Sequence, residues 1–315
     1  MSLAFIFPGQ GSQAVGMGKA LAEAFAPARA VFAEVDSALS QNLSGLMFEG
    51  PEAELTLTAN AQPALMAVSL AVVRVLEAEA GLDITRQAQF IAGHSLGEYS
   101  ALAAAGTFTI TDTARLLRIR GDAMQKAVPV GEGAMAALLG ADIALGREIA
   151  AEAAQGQVCQ VANDNGGGQV VVSGHKAAVE RAMEIAKARG VKRAIALPVS
   201  APFHCALMQP AADAMAQALA TVAMRAPCVP LVANVLASPL TDADEIRKRL
   251  VEQVTGTVRW AESIAYMAHE GVDSFYELGA GKVLSGLVKR IADTATGTAV
   301  GQPADIAAFA ARQSS

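Results

Sequence analysis

The stretch that decides the fold runs from Gln89 to Leu102 and reads QFIAGHSLGEYSAL. Its first four residues predict a β-strand, and the small residues after Gly97 predict a helix that ends near Gly106. Between them, GHSLG at 93–97 matches G-x-S-x-G, a pattern that places a serine on a sharp turn between strand and helix. A helix N-terminus favours developing negative charge, so the pattern indicates a nucleophile at Ser95. The alternative is a glycine-rich turn with an ordinary serine.

Apolar strand-like runs alternate with helical patterns over most of the chain, which favours an α/β fold with a largely parallel sheet. Besides the strand before Ser95, we expect strands at Leu3–Phe7, Leu231–Leu236 and Ser274–Leu278. With the turn at Ser95, they predict a hydrolase-like core that carries a nucleophile elbow.

The segment 130–198 has a different order of elements. Its patterns predict, in sequence, a strand at Ala134–Leu139, a helix at Ile143–Ala154, strands at Val158–Ala162 and Val170–Val172, a helix at Lys176–Arg189 and a strand at Arg193–Leu197. This βαββαβ order is ferredoxin-like. We therefore expect a small subdomain at 130–198, inserted into a large catalytic subdomain at 1–129 and 199–315.

Composition narrows the function classes. The net charge of −6 argues against a nucleic-acid binder, which would carry a basic face. The three cysteines (Cys159, Cys205 and Cys228) fit neither a disulfide framework nor a metal motif, and they indicate a reducing compartment. The N-terminus has no basic start, and we expect no charge-free run of the ~18 apolar residues that span a bilayer. These features predict a cytoplasmic protein without a membrane partner, a metal or a tightly bound cofactor.

A serine nucleophile needs a base, and the chain has four histidines. His94 lies inside the turn and should point away from Ser95, while His175 and His269 belong to helical segments. His204 lies in a loop between a strand and a helix, where α/β active sites form. It is the candidate base, with a satisfied core histidine as the alternative. No aspartate is comparably placed, so we predict a dyad.

The predicted helix at 112–127 carries an arginine on its apolar side. At 100° per residue, one face is polar and the other is apolar, and Arg120 falls in the middle of the apolar face. A buried arginine is costly unless it is paired. The partner is either a buried carboxylate of the protein or an anionic ligand, whose carboxylate the planar guanidinium matches.

Several motifs along the chain resemble one family, the malonyl-CoA:acyl carrier protein transacylases, which includes the acyltransferase domains of fatty acid and polyketide synthesis. The likeness covers nearly the whole chain. The residues that carry it are FPGQGSQ at 7–13, QPA at 62–64, GHSLGE at 93–98, Arg120, SAPFH at 200–204 and ELGAGKVL at 277–284.

The resemblance implies a reaction through a covalent intermediate. Ser95 would attack the thioester of malonyl-CoA and form a malonyl-serine ester, while His204 takes and returns the proton. The phosphopantetheine thiol of acyl carrier protein would then accept the malonyl group, with ping-pong kinetics. Gln10 and the backbone N–H of Leu96 correspond to the oxyanion hole.

The resemblance also assigns specificity and orientation. Arg120 would hold the free malonyl carboxylate. A main-chain carbonyl orients the histidine in this family, and the matching position is Gln253, although the following TGT at 255–257 departs from the family's Asn-Pro. The ring of Phe203 would leave little room for an α-methyl group, and one methyl discriminates by ~1–3 kcal/mol. Malonyl should therefore be preferred over methylmalonyl.

The expected partners are malonyl-CoA, CoA and acyl carrier protein, with the enzyme a monomer that supplies fatty acid synthesis; polyketide synthesis is the alternative pathway. Basic residues outnumber acidic ones between Lys176 and Arg193. Because carrier proteins of this pathway are typically acidic, this face is a candidate docking surface, and a merely solvated helix face is the alternative.

Other functions fit the sequence less well. GQGSQA at 9–14 matches a dinucleotide fingerprint, but the helical pattern continues where a second strand and its acidic residue are required. A serine thioesterase or other hydrolase shares the turn at Ser95 but delivers the acyl group to water. A binding module would use Arg120 for an anion and leave Ser95 idle.

Overall fold

The computed structural model describes residues 2–313, which form two β-sheets with helices packed around them. The strands are β1 (Leu3–Phe7), β2 (Ala88–Gly93), β3 (Gly133–Leu139), β4 (Cys159–Asp164), β5 (Gln169–His175), β6 (Arg193–Ala196), β7 (Leu231–Val232), β8 (Pro239–Leu240), β9 (Val258–Arg259), β10 (Ser274–Leu278) and β11 (Thr296–Val300).

The helices surround both sheets and fill the larger part of the chain. They are α1 (Lys19–Ala24), α2 (Ala26–Leu39), α3 (Leu43–Glu49), α4 (Glu52–Thr56), α5 (Thr58–Ala80), α6 (Ile84–Gln87), α7 (Gly97–Ala104), α8 (Ile110–Ala127), α9 (Ile143–Ala154), α10 (Lys176–Ala188), α11 (Gln209–Thr221), α12 (Ala243–Gln253), α13 (Trp260–His269), α14 (Val283–Ile291) and α15 (Pro303–Gln313), with a 3₁₀ turn at Ala206–Met208.

The first sheet has the strand order β11-β10-β1-β2-β7-β8. All of its pairs are parallel except β7 with β8, which agrees with the predicted largely parallel sheet. Residues 4–7 of β1 and 90–93 of β2 are buried throughout, as expected for strands covered on both faces. The carboxyl end of β2 leads directly to Ser95.

The second sheet has the order β6-β3-β5-β4-β9. Strands β3 to β6 and helices α9 and α10 follow each other as βαββαβ, and β3 pairs antiparallel with both β5 and β6. Apolar residues of α9 and α10 form a separate core with these strands. Strand β9, which lies outside the predicted segment 130–198, adds to this sheet in parallel beside β4.

Helix α5 is the central helix of the larger core. It packs against α2, α7, α8 and α15, and most of its residues are buried. By length and composition alone, α5 is apolar enough to cross a membrane, although it is not a charge-free run, because it contains Arg74, Glu77 and Glu79. However, 83% of its most apolar window is buried inside the protein, as in the core helix of a globular fold.

The predicted elements and the observed ones differ mainly at strand ends. The strand predicted at Leu231–Leu236 ends at Val232, because the chain turns at Ala233, whose carbonyl accepts the amide of Ala237. The C-terminal pair β11 and α15 was not predicted. The sequence of β11 is TGTAV, which is too short and too polar to stand out as a buried strand.

Candidate active site

Ser95 stands on the turn between β2 and α7 with a backbone φ of +54°, in the left-handed region that side chains rarely adopt. The flanking glycines allow this turn. A Cβ on Gly93 would lie 1.9 Å from the carbonyl oxygen of Gly97, and one on Gly97 would lie 2.3 Å from that of Phe7. The G-x-S-x-G spacing is therefore a steric requirement of this turn.

Asn234 holds the turn from the opposite side. Its side-chain Oδ1 accepts a hydrogen bond of 2.8 Å from the amide of Ser95, and its Nδ2 donates over 2.7 Å to the carbonyl of Gly93. Asn234 is fully buried just after β7. Early termination of β7 thus gives Asn234 access to the nucleophile turn, and sequence patterns gave no signal for this role.

His204 faces Ser95 across the site. Its Nε2 lies 2.7 Å from Oγ of Ser95, and its Nδ1 lies 2.9 Å from the carbonyl oxygen of Gln253 and 3.2 Å from that of Gly256. His204 also has a positive φ, +57°. Two residues in sparsely populated backbone conformations, the half-buried Ser95 and the buried His204, therefore face each other, as strained residues often do at functional sites.

The hydrogen-bond partners fix the tautomer of His204. A carbonyl oxygen only accepts, so Nδ1 carries the proton and Nε2 is left to accept the hydroxyl proton of Ser95. Burial first, and then the charge of Arg120, lower the pKa of His204 to about 3. The imidazole is consequently neutral at physiological pH, which is the form a base requires.

Arg120 is 1% exposed and projects from α8 into the site. Its Nη1 donates to Oε1 of Gln62 over 2.8 Å, while Nη2 donates to Oε1 of Gln253 over 2.8 Å and to Oγ of Ser95 over 3.1 Å. No carboxylate within residues 2–313 forms an ion pair with it. Of the two partners expected from the sequence, the protein's own carboxylate is thus not in direct contact.

Glu98 is the nearest buried carboxylate. It lies in the first turn of α7, is 1% exposed, and accepts a hydrogen bond from Nε2 of Gln253. Burial raises the pKa of Glu98 to about 7, against the opposing effects of its hydrogen bonds and of Arg120. Gln253 therefore lies between this carboxyl group and the guanidinium.

A cavity of about 670 Å³ opens beside Ser95 between the two sheets. Gln10 and Leu96 line it on one side, and Phe203 lines it on the other together with residues of β3 and β5. Leu96 is the N-cap of α7, so its backbone N–H has no hydrogen-bond acceptor within the helix. This N–H lies at the N-terminal end of α7, next to Ser95. Oε1 of Gln10 accepts from Oγ1 of Thr58 over 2.8 Å.

The structure brings together all seven residues singled out from the sequence: Ser95, His204, Gln10, Leu96, Arg120, Phe203 and Gln253. Of the remaining histidines, His94 also lines the cavity, whereas His175 and His269 do not. Nε2 of His94 is 2.9 Å from Oδ1 of Asn165, His175 accepts the amide of Val158, and His269 is exposed at the end of α13. Among residues 2–313, no group of three His, Cys, Asp or Glu side chains could hold a metal ion.

Three polar residues of the site had no role in the sequence analysis. They are Gln62, Glu98 and Asn234, all nearly or fully buried. The signal for Glu98 was available, because it is a charged residue within an otherwise small and apolar helix, a placement that requires a partner. Gln62 begins one of the family-like motifs, but the residues alone gave no reason to connect it with Arg120.

The chain is similar to known proteins over nearly its whole length. The family model for the acyl transferase domain matches residues 4–306. The malonyl CoA-acyl carrier protein transacylase of Escherichia coli K12 is 49% identical over 305 residues, which is 97% of each chain.

Solved structures agree over the whole length. An acyl-carrier-protein S-malonyltransferase from Bartonella henselae is 58% identical, with a TM-score of 0.97 and complete coverage of both chains. A malonyl-transacylase solved in complex with its type II PKS acyl-carrier protein is 43% identical, with a TM-score of 0.95 and coverage of 99% of this chain and all of the other. The chain therefore belongs to the acyl transferase domain family, among the malonyl CoA-acyl carrier protein transacylases.

Proposed function

We propose that the protein transfers a malonyl group from malonyl-CoA to the phosphopantetheine thiol of acyl carrier protein through a malonyl ester of Ser95. One observation carries this proposal: the hydroxyl of Ser95 contacts both a neutral histidine, at 2.7 Å, and a buried guanidinium, at 3.1 Å. The first contact provides a base for the nucleophile. The second provides a cation within reach of an acyl group that ends in a carboxylate.

The first half-reaction forms the ester. Oγ of Ser95 attacks the thioester carbonyl while its proton passes to Nε2 of His204. The carbon–sulfur bond then breaks, and the proton on Nε2 goes to the CoA sulfur as it leaves. In the second half-reaction His204 removes the proton from the carrier thiol, the thiolate attacks the ester, and Ser95 recovers its proton.

The negative charge that develops on the carbonyl oxygen needs fixed donors. We assign this role to the N–H of Leu96 and the side-chain amide of Gln10, as the family resemblance implies. Both residues line the cavity beside Ser95, and Leu96 lies at the N-terminal end of α7, where the helix dipole also favours negative charge. The carbonyl of Gln253 keeps His204 in the productive tautomer, so an aspartate is unnecessary.

Specificity for malonyl follows from charge and volume. Arg120 is the ligand for the free carboxylate, since it lines the cavity and its hydrogen bonds go to uncharged side chains. The buried ring of Phe203 limits the space near the α-carbon. We therefore propose malonyl over methylmalonyl as substrate, with CoA as product and no tightly bound cofactor.

The two sheets support a division of the chain into two subdomains. We assign residues 1–129 and 199–315 to a large hydrolase-like catalytic subdomain with the nucleophile elbow, and 130–198 to a small ferredoxin-like subdomain. The cavity lies between them, with Met135 and Val171 contributed by the small one. The pairing of β9 with β4 ties the small sheet to the C-terminal part of the large subdomain.

Acyl carrier protein is the proposed acceptor, and fatty acid synthesis by a cytoplasmic monomer is the proposed context. The basic face between Lys176 and Arg193 needs revision as a docking surface. Arg189 is paired with Glu148 and Glu152, and Arg181 donates to the carbonyls of Ala153 and Ala154, so neither is free for a partner. The exposed Lys176, Lys187, Lys192 and Arg193 are the remaining candidates.

Steady-state kinetics test the proposal. With malonyl-CoA and holo acyl carrier protein varied against each other, we expect parallel double-reciprocal lines, and malonyl carrier protein formed in equal amount to CoA. Intersecting lines would contradict the covalent intermediate. Free malonate formed in place of malonyl carrier protein would identify a hydrolase.

A further inference from the structure

Glu98 is a buried carboxyl group that the proposed reaction does not use. It lies three residues after Ser95 and is 1% exposed, so it does not reach solvent. A carboxyl group in this position is costly to bury, and its retention beside the cavity calls for a partner. Its partners are the backbone N–H of Asn234 and the side-chain amide of Gln253, which donates to Oε2 of Glu98.

The same amide contacts Arg120. Its Oε1 accepts from Nη2 of the guanidinium over 2.8 Å, and its Nε2 donates to the carbonyl of Ser95 over 2.9 Å as well as to Glu98. An amide could point either way, but a guanidinium only donates, so Oε1 of Gln253 must face Arg120 and Nε2 is left to donate to a carboxyl oxygen of Glu98. With Arg120 on one side and Glu98 on the other, only one orientation of Gln253 satisfies both.

We propose that Glu98 is a positioning residue: through the side chain of Gln253 it fixes the guanidinium of Arg120 and thereby sets the preference for acyl groups that end in a carboxylate. This inference rests on the proposed function. Glu98 acts through Gln253, and Gln253 has two separate tasks. Its main-chain carbonyl orients His204, while its side chain transmits the effect of Glu98 to Arg120.

Arg120 has a second amide partner, Gln62, which is itself held in place by hydrogen bonds, as we propose for Gln253. Gln62 receives Nη1 and is itself held by Thr58, to whose Oγ1 it donates over 2.8 Å. Thr58 in turn donates to Gln10, so that side is anchored by a chain of hydrogen bonds. On the Gln253 side the corresponding anchors are Glu98 and the carbonyl of Ser95. Without Glu98, one anchor of the guanidinium is lost.

Two substitutions of Glu98 separate its hydrogen bond from its charge. In Glu98→Gln the amide oxygen still accepts from Gln253, so the orientation of Arg120 is kept. Above pH 7, where the carboxyl group of the wild type is ionised, this substitution also removes a negative charge and leaves the cavity more attractive to an anion. Glu98→Ala removes both the acceptor and the charge. A positioning role predicts that only Glu98→Ala lowers the preference for malonyl, whereas a simple counter-charge predicts effects in the same direction for both variants.

The measurement is the rate of Ser95 loading from malonyl-CoA and from acetyl-CoA, each resolved into KM and the maximal rate. We expect Glu98→Ala to lower the malonyl-to-acetyl ratio of kcat/KM about 10-fold, mainly by raising KM for malonyl-CoA, because the amide that holds Arg120 loses a hydrogen-bond acceptor. Glu98→Gln should keep the wild-type ratio or exceed it. An unchanged ratio in Glu98→Ala, or equal losses with both substrates, would overturn the proposal.

A double-mutant cycle tests the route through Gln253. Gln253→Leu removes the side-chain amide but keeps the main-chain carbonyl that His204 uses. If Glu98 acts through this amide, the malonyl-to-acetyl ratio of kcat/KM is no lower in the double variant Glu98→Ala/Gln253→Leu than in Gln253→Leu alone. If the fold-losses of the two single variants multiply in the double variant, Glu98 acts by another route. Absence of a malonyl adduct on the wild-type enzyme would instead refute the proposed function itself.

Discussion

Nη2 of Arg120 lies 3.1 Å from Oγ of Ser95, so the cation that should select the acyl group touches the atom that should attack it. A malonyl group has one methylene between its thioester carbonyl and its carboxylate, and this short span fits a guanidinium next to the nucleophile. An acyl group without the carboxylate gains nothing from Arg120. The short distance between the two residues therefore places the group that should select the substrate directly beside the nucleophile.

The planar guanidinium of Arg120, with its several N–H donors, is the first feature to test. A lysine keeps the charge but cannot donate to Gln62, Gln253 and a carboxylate in the same plane. We expect Arg120→Lys to lower kcat/KM for malonyl-CoA about 100-fold and to change acetyl-CoA loading much less, which loading assays with the two thioesters would measure. Equal losses for both substrates would mean that Arg120 supports the site as a whole and not the carboxylate.

His204 should make stability depend on pH. Burial lowers its pKa from 6.5 to about 3, so the native state excludes a proton that the unfolded chain binds. The stabilisation linked to this residue is present above pH 6.5 and is lost as pH falls towards 3. Between pH 7.5 and 5, we expect the wild type to lose about 2 kcal/mol more free energy of unfolding than His204→Gln. Urea titrations at both pH values measure this difference, and parallel pH curves for the two proteins would contradict it.

The volume near Phe203 should determine discrimination against an α-methyl group. Replacement by alanine opens the cavity beside His204, and one methyl group is worth ~1–3 kcal/mol in a tight pocket. Phe203→Ala should raise methylmalonyl loading relative to malonyl about 10-fold, measured by competition between the two CoA esters, with Phe203→Leu as an intermediate control. If the ratio does not change, another side chain sets the size limit.

The carrier docking face is tested by charge reversal at Lys192. This exposed residue precedes β6, and the segment after that strand, 197–199, lines the cavity. We expect Lys192→Glu to raise KM for acyl carrier protein several-fold at low salt while malonyl-CoA loading is unchanged. Arg86→Glu is the matched control, because Arg86 is exposed at the opposite end of β2 from Ser95. Similar effects of both variants would reject this face.

Much of the site was predictable because its signals are local. The turn at Ser95 follows from glycine spacing, and Arg120 was found because a charge interrupts an apolar helical face. His204 was chosen by excluding the other histidines, and Gln253 came only from the family resemblance. Local sequence patterns do not show which distant residues come close together in the folded chain. The bonds of Ser95 to His204 and of Arg120 to Gln253 join residues 109 and 133 positions apart.

The buried amides and the short strands were harder to predict. Asn234 could be recognised only once β7 was known to end at Val232, because the sequence suggested a longer strand. The role of Glu98 depends on an amide 155 positions away. Neutral amides have no distinctive periodicity or charge, so their partners become apparent only in the folded chain.

Intact-protein mass spectrometry after brief incubation with malonyl-CoA, and separately with acetyl-CoA, tests the central claim most directly. The account predicts a malonyl adduct on the wild type, none on Ser95→Ala, and on Arg120→Ala a loss of the malonyl adduct with some acetyl adduct retained. No adduct on the wild type, or a malonyl adduct that persists on Ser95→Ala, would contradict it.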